Sequence, residues 1–395
     1  MPQSLPNDLY GVTAVREYNL NFPVTPAAVT LPETSEQVAA IVKCAAEYEY
    51  KAQAKSGGGI VLGIMSLGDI DTLLYNAGGR AMSHGICPEI RAGGHLTIGG
   101  LGLTSRQWGM ALDHIEEVEV VLPDSSIVRA SETENADLLF AVKGIRLSWV
   151  VQSRGRGLFR DWQDFALSEN LSRKFTSDFI CLQDSVILKG VLIGFNEEYN
   201  SLGLKHRFSG SDSSKVLVLE DWLGTVTYVI DDLAVRLGGS MSTYFYAKSL
   251  GFTQDTPMPS STITNLFTYL DKTPKGTLTW FVTFSLVGGA INDYPKNATA
   301  YPHRGVMYWM QSFAANVLGP VLDKSYDFLD GINGLITRDV PGSAGHAYLG
   351  CPDPRMESAE RAYWGVNLGR LEEMKGVFDP GDVFWNPQGV GVPVA

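Results

Sequence analysis

Six glycines fall between Gly85 and Gly102 in the stretch Arg80 to Trp108, RAMSHGICPEIRAGGHLTIGGLGLTSRQW, together with two histidines and one cysteine. Glycine at that density costs backbone entropy. A chain keeps it where φ must be positive, or where something large comes against bare backbone. A surface loop would be polar, but these glycines are interleaved with Ile86, Ile90, Leu96, Ile98, Leu101 and Leu103. The stretch is therefore expected to lie inside the protein, folded around a bulky ligand.

The flanking sequence reads as a mixed α+β chain. Thr34-Ser35-Glu36-Gln37 has capping-box form, and Val38, Ile41, Val42 and Ala45 follow at helical spacing to about Tyr48. Lys51 to Gly59 reads as a short strand running into three glycines, a turn that can offer N–H groups to a phosphate. Leu67 to Gly78 predicts a short helix, Ile115 to Ser131 a β-hairpin, and Asn135 to Val142 a further helix. Gly144 to Gly157 has no periodicity. Beyond it Arg160 to Ser168 is helical, and Phe179 to Phe195 and Lys215 to Val218 are strand-like. Thr277 to Ala290 is the strongest strand, with Trp280, Val282, Phe284 and Leu286 on one face. His303 to Val317 is expected as a helix, and Ala359 to Phe378 as one continuous helix.

Charge excludes some functions. A net charge of −12 with no basic run argues against nucleic acid, whose binding needs clustered Lys and Arg. No apolar stretch approaches membrane-spanning length. The N-terminal sequence MPQSLPNDLYG shows no leader, so the chain as it stands reads as cytoplasmic. His84, Cys87 and His95 would make only part of a zinc site with no further ligand in evidence, so no metal is expected.

Six segments carry a family resemblance: FPVTPAAVTLPETSEQVAAIV, the SGG of residues 56 to 58, RAMSHGICPEIRAGGHLTIGGLG, VVLPDSSIVRASETENADLLFAVKG, RDWQDF and YWGVNLGRLEEMKGVFDPGDVFWNPQG. In order and content they resemble the berberine bridge enzyme-like branch of the vanillyl-alcohol oxidase flavoproteins, with fungal gluco- and chito-oligosaccharide oxidases the nearest group. The resemblance implies an α+β, two-lobed FAD-binding fold in which an antiparallel sheet with helices behind it forms the substrate lobe. It implies an FAD lobe at residues 1–157, a substrate lobe at 158–345, and a C-terminal segment, 346–395, returning to the FAD lobe. It also places Ser56, Gly57, Gly58, Gly59, His84, Gly85, Cys87, Gly93, Gly94, His95, Gly99, Gly102 and Asn386 at the cofactor. Cys87 stands where many relatives bond covalently to the flavin.

Three departures from the family pattern bear on activity. Bicovalent relatives read Ser-Gly-Gly-His where this chain has Gly59, which leaves at most one attachment, through Cys87. The segments 60–79 and 144–157 look shortened or altered. The family's Ala-Tyr-x-Asn/Gly-Tyr-x-Asp-Pro becomes AYLGCPDP, residues 347 to 354, so the tyrosine expected to take the substrate proton is Cys351, with Tyr348 the nearest alternative base. The expected function is an FAD-dependent oxidase, active as a monomer. It would move a hydride from an alcohol or sugar carbon to flavin N5 with O2 as acceptor, and its substrate would be an oligosaccharide or a small secondary metabolite. A family member without turnover is the alternative. The resemblance leaves room for secretion.

Overall fold

Five antiparallel strands form the central sheet: β3 (Phe175–Cys181), β4 (Val186–Leu192), β5 (Tyr244–Thr253), β6 (Thr279–Leu286) and β7 (Val306–Asn316), in the spatial order β4-β3-β6-β7-β5. The computed structural model describes residues 19–22, 26–30, 32–53, 66–85, 90, 92–141, 157–208, 216, 243–316 and 318–392. One face of the sheet is covered by helices α4 (Leu158–Ala166), α5 (Ser260–Lys272) and α6 (Asp323–Asp339), whose apolar stripes meet it in the largest core cluster. Phe159 and Trp162 of α4 stack edge-on against Phe179 and Phe284 or tilt against them. Two large polar side chains in this layer, Trp162 and Gln163, are paired. Trp162 Nε1 donates to Ser177 Oγ at 2.9 Å, and Gln163 Oε1 accepts from Tyr308 Oη at 2.6 Å and Met258 N at 3.0 Å. Each would otherwise cost about 1–3 kcal/mol in unmet hydrogen bonding.

The prediction for β6 holds: Trp280, Val282, Phe284 and Leu286 all enter the helix-covered core. The helix expected over His303 to Val317 is instead the strand β7. The cause is burial on both sides. β7 lies between β6 and β5, and Val306, Tyr308 and Met310 are buried along with Trp309 and Gln311, so the alternation that marks a strand is absent from its sequence.

Before the sheet come α1 (Ser35–Glu47), α2 (Leu67–Asn76), α3 (Ala92–Thr97) and the hairpin β1 (Glu117–Val121) and β2 (Ile127–Ser131). Thr34 Oγ1 accepts from Gln37 N at 3.3 Å, as the capping-box pattern predicts. The short helix Ala136–Ala141 also agrees with expectation. Part of the glycine-rich stretch is helical, in α3 and in the turn Ser105–Trp108. Of the expected strand at 51–59, only a single parallel bridge is described, Ala52 to Phe384. Lys215 and residues 217–218 lie outside the described residues, as do 144–156.

The single helix expected over Ala359 to Phe378 is interrupted. It forms as α7 (Ala359–Trp364) and α8 (Leu368–Phe378), broken where Gly365 takes φ +47°. Positive φ is cheap for glycine, and the bend brings Leu371 and Met374 onto Ala300. Phe378 at the end of α8 packs against Ala130, Leu138 and Leu139 beside the hairpin.

Two buried arginines tie the early segment to the sheet. Arg304, just before β7, forms a bidentate pair with Asp113 at 2.7 and 3.0 Å, and both side chains are sealed from solvent. Arg106 donates through Nε to the Phe175 carbonyl at 2.6 Å, and also to the carbonyl of Val287. Burial, reinforced by Arg173, pulls the Arg106 pKa down to about 10.

Candidate active site on the second face of the sheet

Side chains alternate across a strand, and directly paired residues share a face. On β7, Trp309, Gln311 and Phe313 therefore point away from the helices. Paired with them are Gly251, Ser249 and Ala247 of β5, and Ser285, Thr283 and Phe281 of β6. Asp178 of β3 and Lys189 of β4 continue this face, in register with Ser285 and with each other. It is an unusual surface, because Asp178, Lys189, Ser249, Ser285 and Gln311 are all buried on it.

The segment after α6 runs along the free edge of β5, with Gly251 N donating to His346 O at 3.1 Å and Tyr348 N to Ser249 Oγ at 2.8 Å. The expected catalytic residues are thereby brought to the second face. Tyr348 is buried, with its ring 5.5 Å from that of Trp309, and Cys351 is buried in the same cluster, one hydrogen-bonded turn later. Glycines make this fit. A Cβ on Gly251 would come within 2.9 Å of the Trp309 ring, and one on Gly350 within 2.6 Å of Tyr348 Oη.

The glycine-rich stretch approaches the same cluster, which also contains Leu101, Met110 and Leu112. Two of its glycines serve the protein's own packing. A Cβ on Gly102 would lie 1.7 Å from the carbonyl oxygen of His84, and one on Gly100 would press against His95 and Ala111. His84 Nδ1 lies 2.8 Å from Gly85 O and its Nε2 2.9 Å from Asp71 Oδ1. His95 Nε2 accepts the backbone N–H of Gly85 at 2.7 Å, so its proton sits on Nδ1. Gly93 and Gly94 lie within α3, and Gly99 takes φ +118° just after it. Ser56, Gly57, Gly58, Gly59 and Cys87 lie outside the described residues. Asn386 lies apart from the sheet, in a cleft of about 560 Å³ that Gln53, Lys375 and Trp385 also line, next to the bridge from Ala52.

The residues present suit a flat heteroaromatic group with polar edges. Ser285 Oγ on the second face is buried without a hydrogen-bond partner, and so is Thr104 Oγ1 in the glycine-rich stretch. No cluster of His, Cys, Asp or Glu able to hold a metal occurs among the described residues.

Several of these groups are invisible to sequence reasoning. Trp309, Gln311 and Ser285 were hidden by reading β7 as a helix and by weighing only the apolar face of β6. Asp71 carries no motif, and its approach to His84 depends on how α2 packs.

Comparison with known proteins gives a consistent picture. A family model described as berberine and berberine like matches residues 347–391, the segment holding Tyr348, Cys351 and Asn386. The chain is 33% identical to the FAD-linked oxidoreductase sorD of Penicillium rubens, covering 98% of this chain and 94% of the relative. That alignment is 452 positions long against 395 residues here, so the relative carries stretches without a counterpart in this chain. Among solved structures, a chitooligosaccharide oxidase superposes with a TM-score of 0.85 at 24% identity, covering 100% of this chain and 97% of the other. A glucooligosaccharide oxidase from Acremonium strictum, described with a 6-S-cysteinyl, 8α-N1-histidyl FAD, superposes at 0.84 with 25% identity, over 98% of this chain and 95% of the other.

Proposed function

Because the chain belongs to the berberine bridge enzyme-like family of FAD-linked oxidoreductases, we propose that it is an oxidase of hydroxyl compounds working on the second face of its sheet. The observation that carries this reading is the convergence of Tyr348, Cys351, Trp309 and the glycine-rich stretch on that one face. Bound there, FAD supplies the two-electron acceptor for hydride from the substrate carbon, with dioxygen as the terminal acceptor. The protein's share is placement. Trp309 and Gln311 would flank the substrate, Ser285 Oγ would donate to a polar ring edge, and Tyr348 or Cys351 would take the hydroxyl proton. A tyrosine starts near pKa ~10 and a cysteine near ~8.5, so either needs its site to work as a base at neutral pH.

Gly85, His84, His95, Gly99 and Gly102 are proposed to form the wall behind the ring, and Cys87 its covalent attachment. Asn386 and Ser56 to Gly59 are proposed to hold the rest of the cofactor. A monomer acting on a small alcohol or an oligosaccharide completes the reading. A second reading, a protein that binds flavin without turning over, draws support from the stretches missing against its relative and from cysteine at position 351.

Both readings meet in one experiment. Purified protein should be yellow, and its flavin should bleach when an alcohol or sugar substrate is added without oxygen. A yellow protein that no hydroxyl compound bleaches supports the second reading, and a colourless protein that FAD does not stabilise overturns both. Acid precipitation should carry the flavin down with the protein, and Cys87→Ala should release it to the supernatant.

A further inference from the structure

Tyr348 and Cys351 belong to a turn that straddles the free edge of β5, and the strand holds that turn from both of its faces. Neighbouring residues of a strand point to opposite sides. Ser249, on the second face, accepts the backbone N–H of Tyr348 at 2.8 Å. Lys248, one position earlier, points to the helix-covered face. Its Nζ lies 2.8 Å from Asp353 Oδ2 and donates to Asp330 Oδ1 of α6 at 2.7 Å. Cys351 falls between these two anchors, with its own N–H donating to Tyr348 O at 2.8 Å.

Asp353 is the deeper anchor. Its side chain is 1% exposed, and its Oδ1 accepts from Tyr246 Oη at 2.9 Å and from Arg355 N at 3.0 Å. Its N–H donates to Tyr363 Oη of α7 at 2.9 Å, and its carbonyl accepts Gln388 Nε2 from the C-terminal tail at 2.5 Å. A carboxylate this deep is stable only against a cation, and stranding it is costly. Among the described residues that cation is Lys248; Arg355 lies half-exposed and pairs with Asp330 instead, at 3.7 Å. Without Lys248 the carboxylate must turn toward water and draw its segment away from β5.

Resting on the oxidase reading above, we propose that Lys248 is a positioning residue for the proton acceptor: through Asp353 it holds residues 348–353 against β5, so that Tyr348 and Cys351 keep their place beside Trp309. It acts from the face opposite the proposed site. A misplacement of about 1 Å costs about 10²-fold in rate, so its loss is felt in the chemical step and not in substrate binding.

The test uses the flavin-loaded protein and the variants Lys248→Met, Lys248→Arg and Asp330→Asn. Xylobiose and benzyl alcohol are added without oxygen, and the probe that bleaches the parent protein is carried through. Lys248→Met is expected to slow bleaching about 10²-fold, with the probe's dissociation constant changed by less than about threefold and the flavin spectrum unchanged. Lys248→Arg, which keeps the charge on a different frame, is expected to stay within about tenfold of the parent. Asp330→Asn removes a partner outside the turn and is expected to leave the rate near the parent's. N-ethylmaleimide labelling, read by mass spectrometry, follows the turn itself. Cys44 is exposed, whereas Cys181 and Cys351 are buried. Lys248→Met is expected to speed labelling of Cys351 about tenfold while Cys181 stays protected, which tells a loosened turn from an unfolded protein. Should Lys248→Met not fold, Asp353→Asn breaks the same ion pair while leaving Lys248 paired with Asp330, and the same changes are expected. Bleaching at the parental rate, a loss that arginine does not recover, an equal loss in Asp330→Asn, or Cys351 as protected as in the parent overturns the proposal. The oxidase reading fails separately: a parent protein that neither probe bleaches removes turnover, and the labelling of Cys351 then decides the role of Lys248 alone.

Discussion

His303 and His346 face each other, Nδ1 to Nδ1, at 2.9 Å, and the other ring nitrogen of His303 lies 3.0 Å from the carbonyl of Tyr363. A carbonyl only accepts, so His303 Nε2 carries a proton, its Nδ1 accepts, and His346 Nδ1 donates. The pair is neutral. Burial, followed by His346, holds the His303 pKa down to about 3, and burial, followed by Lys296, holds that of His346 below its usual value. An unfolded histidine titrates near ~6.5, so between that pH and about 3 the unfolded chain binds more protons. Stability is therefore fully present above the unfolded pKa and is lost as pH falls, by up to about 1.4 kcal/mol per pH unit for each histidine. Urea midpoints measured from pH 7 to pH 4.5 should show this slope. His303→Gln, which cannot take up a proton, should flatten it.

The Asp113–Arg304 pair joins the segment before the hairpin to the start of β7 with no exposure on either side chain to speak of, at 0% and 1%. Removing one partner strands the other charge in the interior. Asp113→Leu and Arg304→Met should each cost about 3–5 kcal/mol, and the double variant Asp113→Leu/Arg304→Met should cost less than their sum. Denaturant titration of the four proteins forms the cycle. Additive losses would mean that the two side chains act independently.

Two glycines on α6 make opposite predictions. A Cβ on Gly331 would lie 2.0 Å from Tyr269 Oη, whereas one on Gly334 meets nothing within 4 Å. Gly334→Ala should stabilise the helix by about 0.5–1 kcal/mol through lower unfolded-state entropy. Gly331→Ala should destabilise, since the tyrosine must leave the carbonyls of Asp327 and Phe328 that it now bonds. Melting temperatures moving in opposite directions would bear this out.

Tyr348 and Cys351 can be separated as proton acceptors. Loss of a general base lowers turnover by about 10²–10⁴-fold. If Tyr348 is the base, Tyr348→Phe reduces the rate of flavin bleaching on that scale while substrate binding is retained, and Cys351→Ala changes it little. The reverse result assigns the proton to Cys351. Both variants should retain the flavin spectrum, which distinguishes lost chemistry from a lost site.

Local elements were legible in the chain because their determinants are local. The Thr34 cap, the hairpin around Pro123 to Ser126 and the period-two face of β6 each follow from residues within a few positions of one another. The strand β7 was not legible, since a strand buried on both faces loses its alternation and at eleven residues has the length of a helix. The break at Gly365 escaped for a related reason. The apolar stripe continues through it, and only packing against Ala300 requires the bend.

The sequence alone determined the family, and with it the cofactor, because the motifs of the glycine-rich stretch and the C-terminal tail are contiguous and specific. It also identified Tyr348 and Cys351 as candidates and showed the replacement at position 351. Tertiary structure decided what those residues face. Periodicity says which side chains share one side of a strand, but not which distant segment lies against that side. Only the pairing of β7 with β5 and β6, and the run of residues 346–351 along the free edge of β5, set Tyr348 beside Trp309. The same pairing put Phe281 on Phe313. Both contacts join segments that are not local to one another in the chain, and the energy that selects them comes from burying the whole sheet, a quantity no single segment carries.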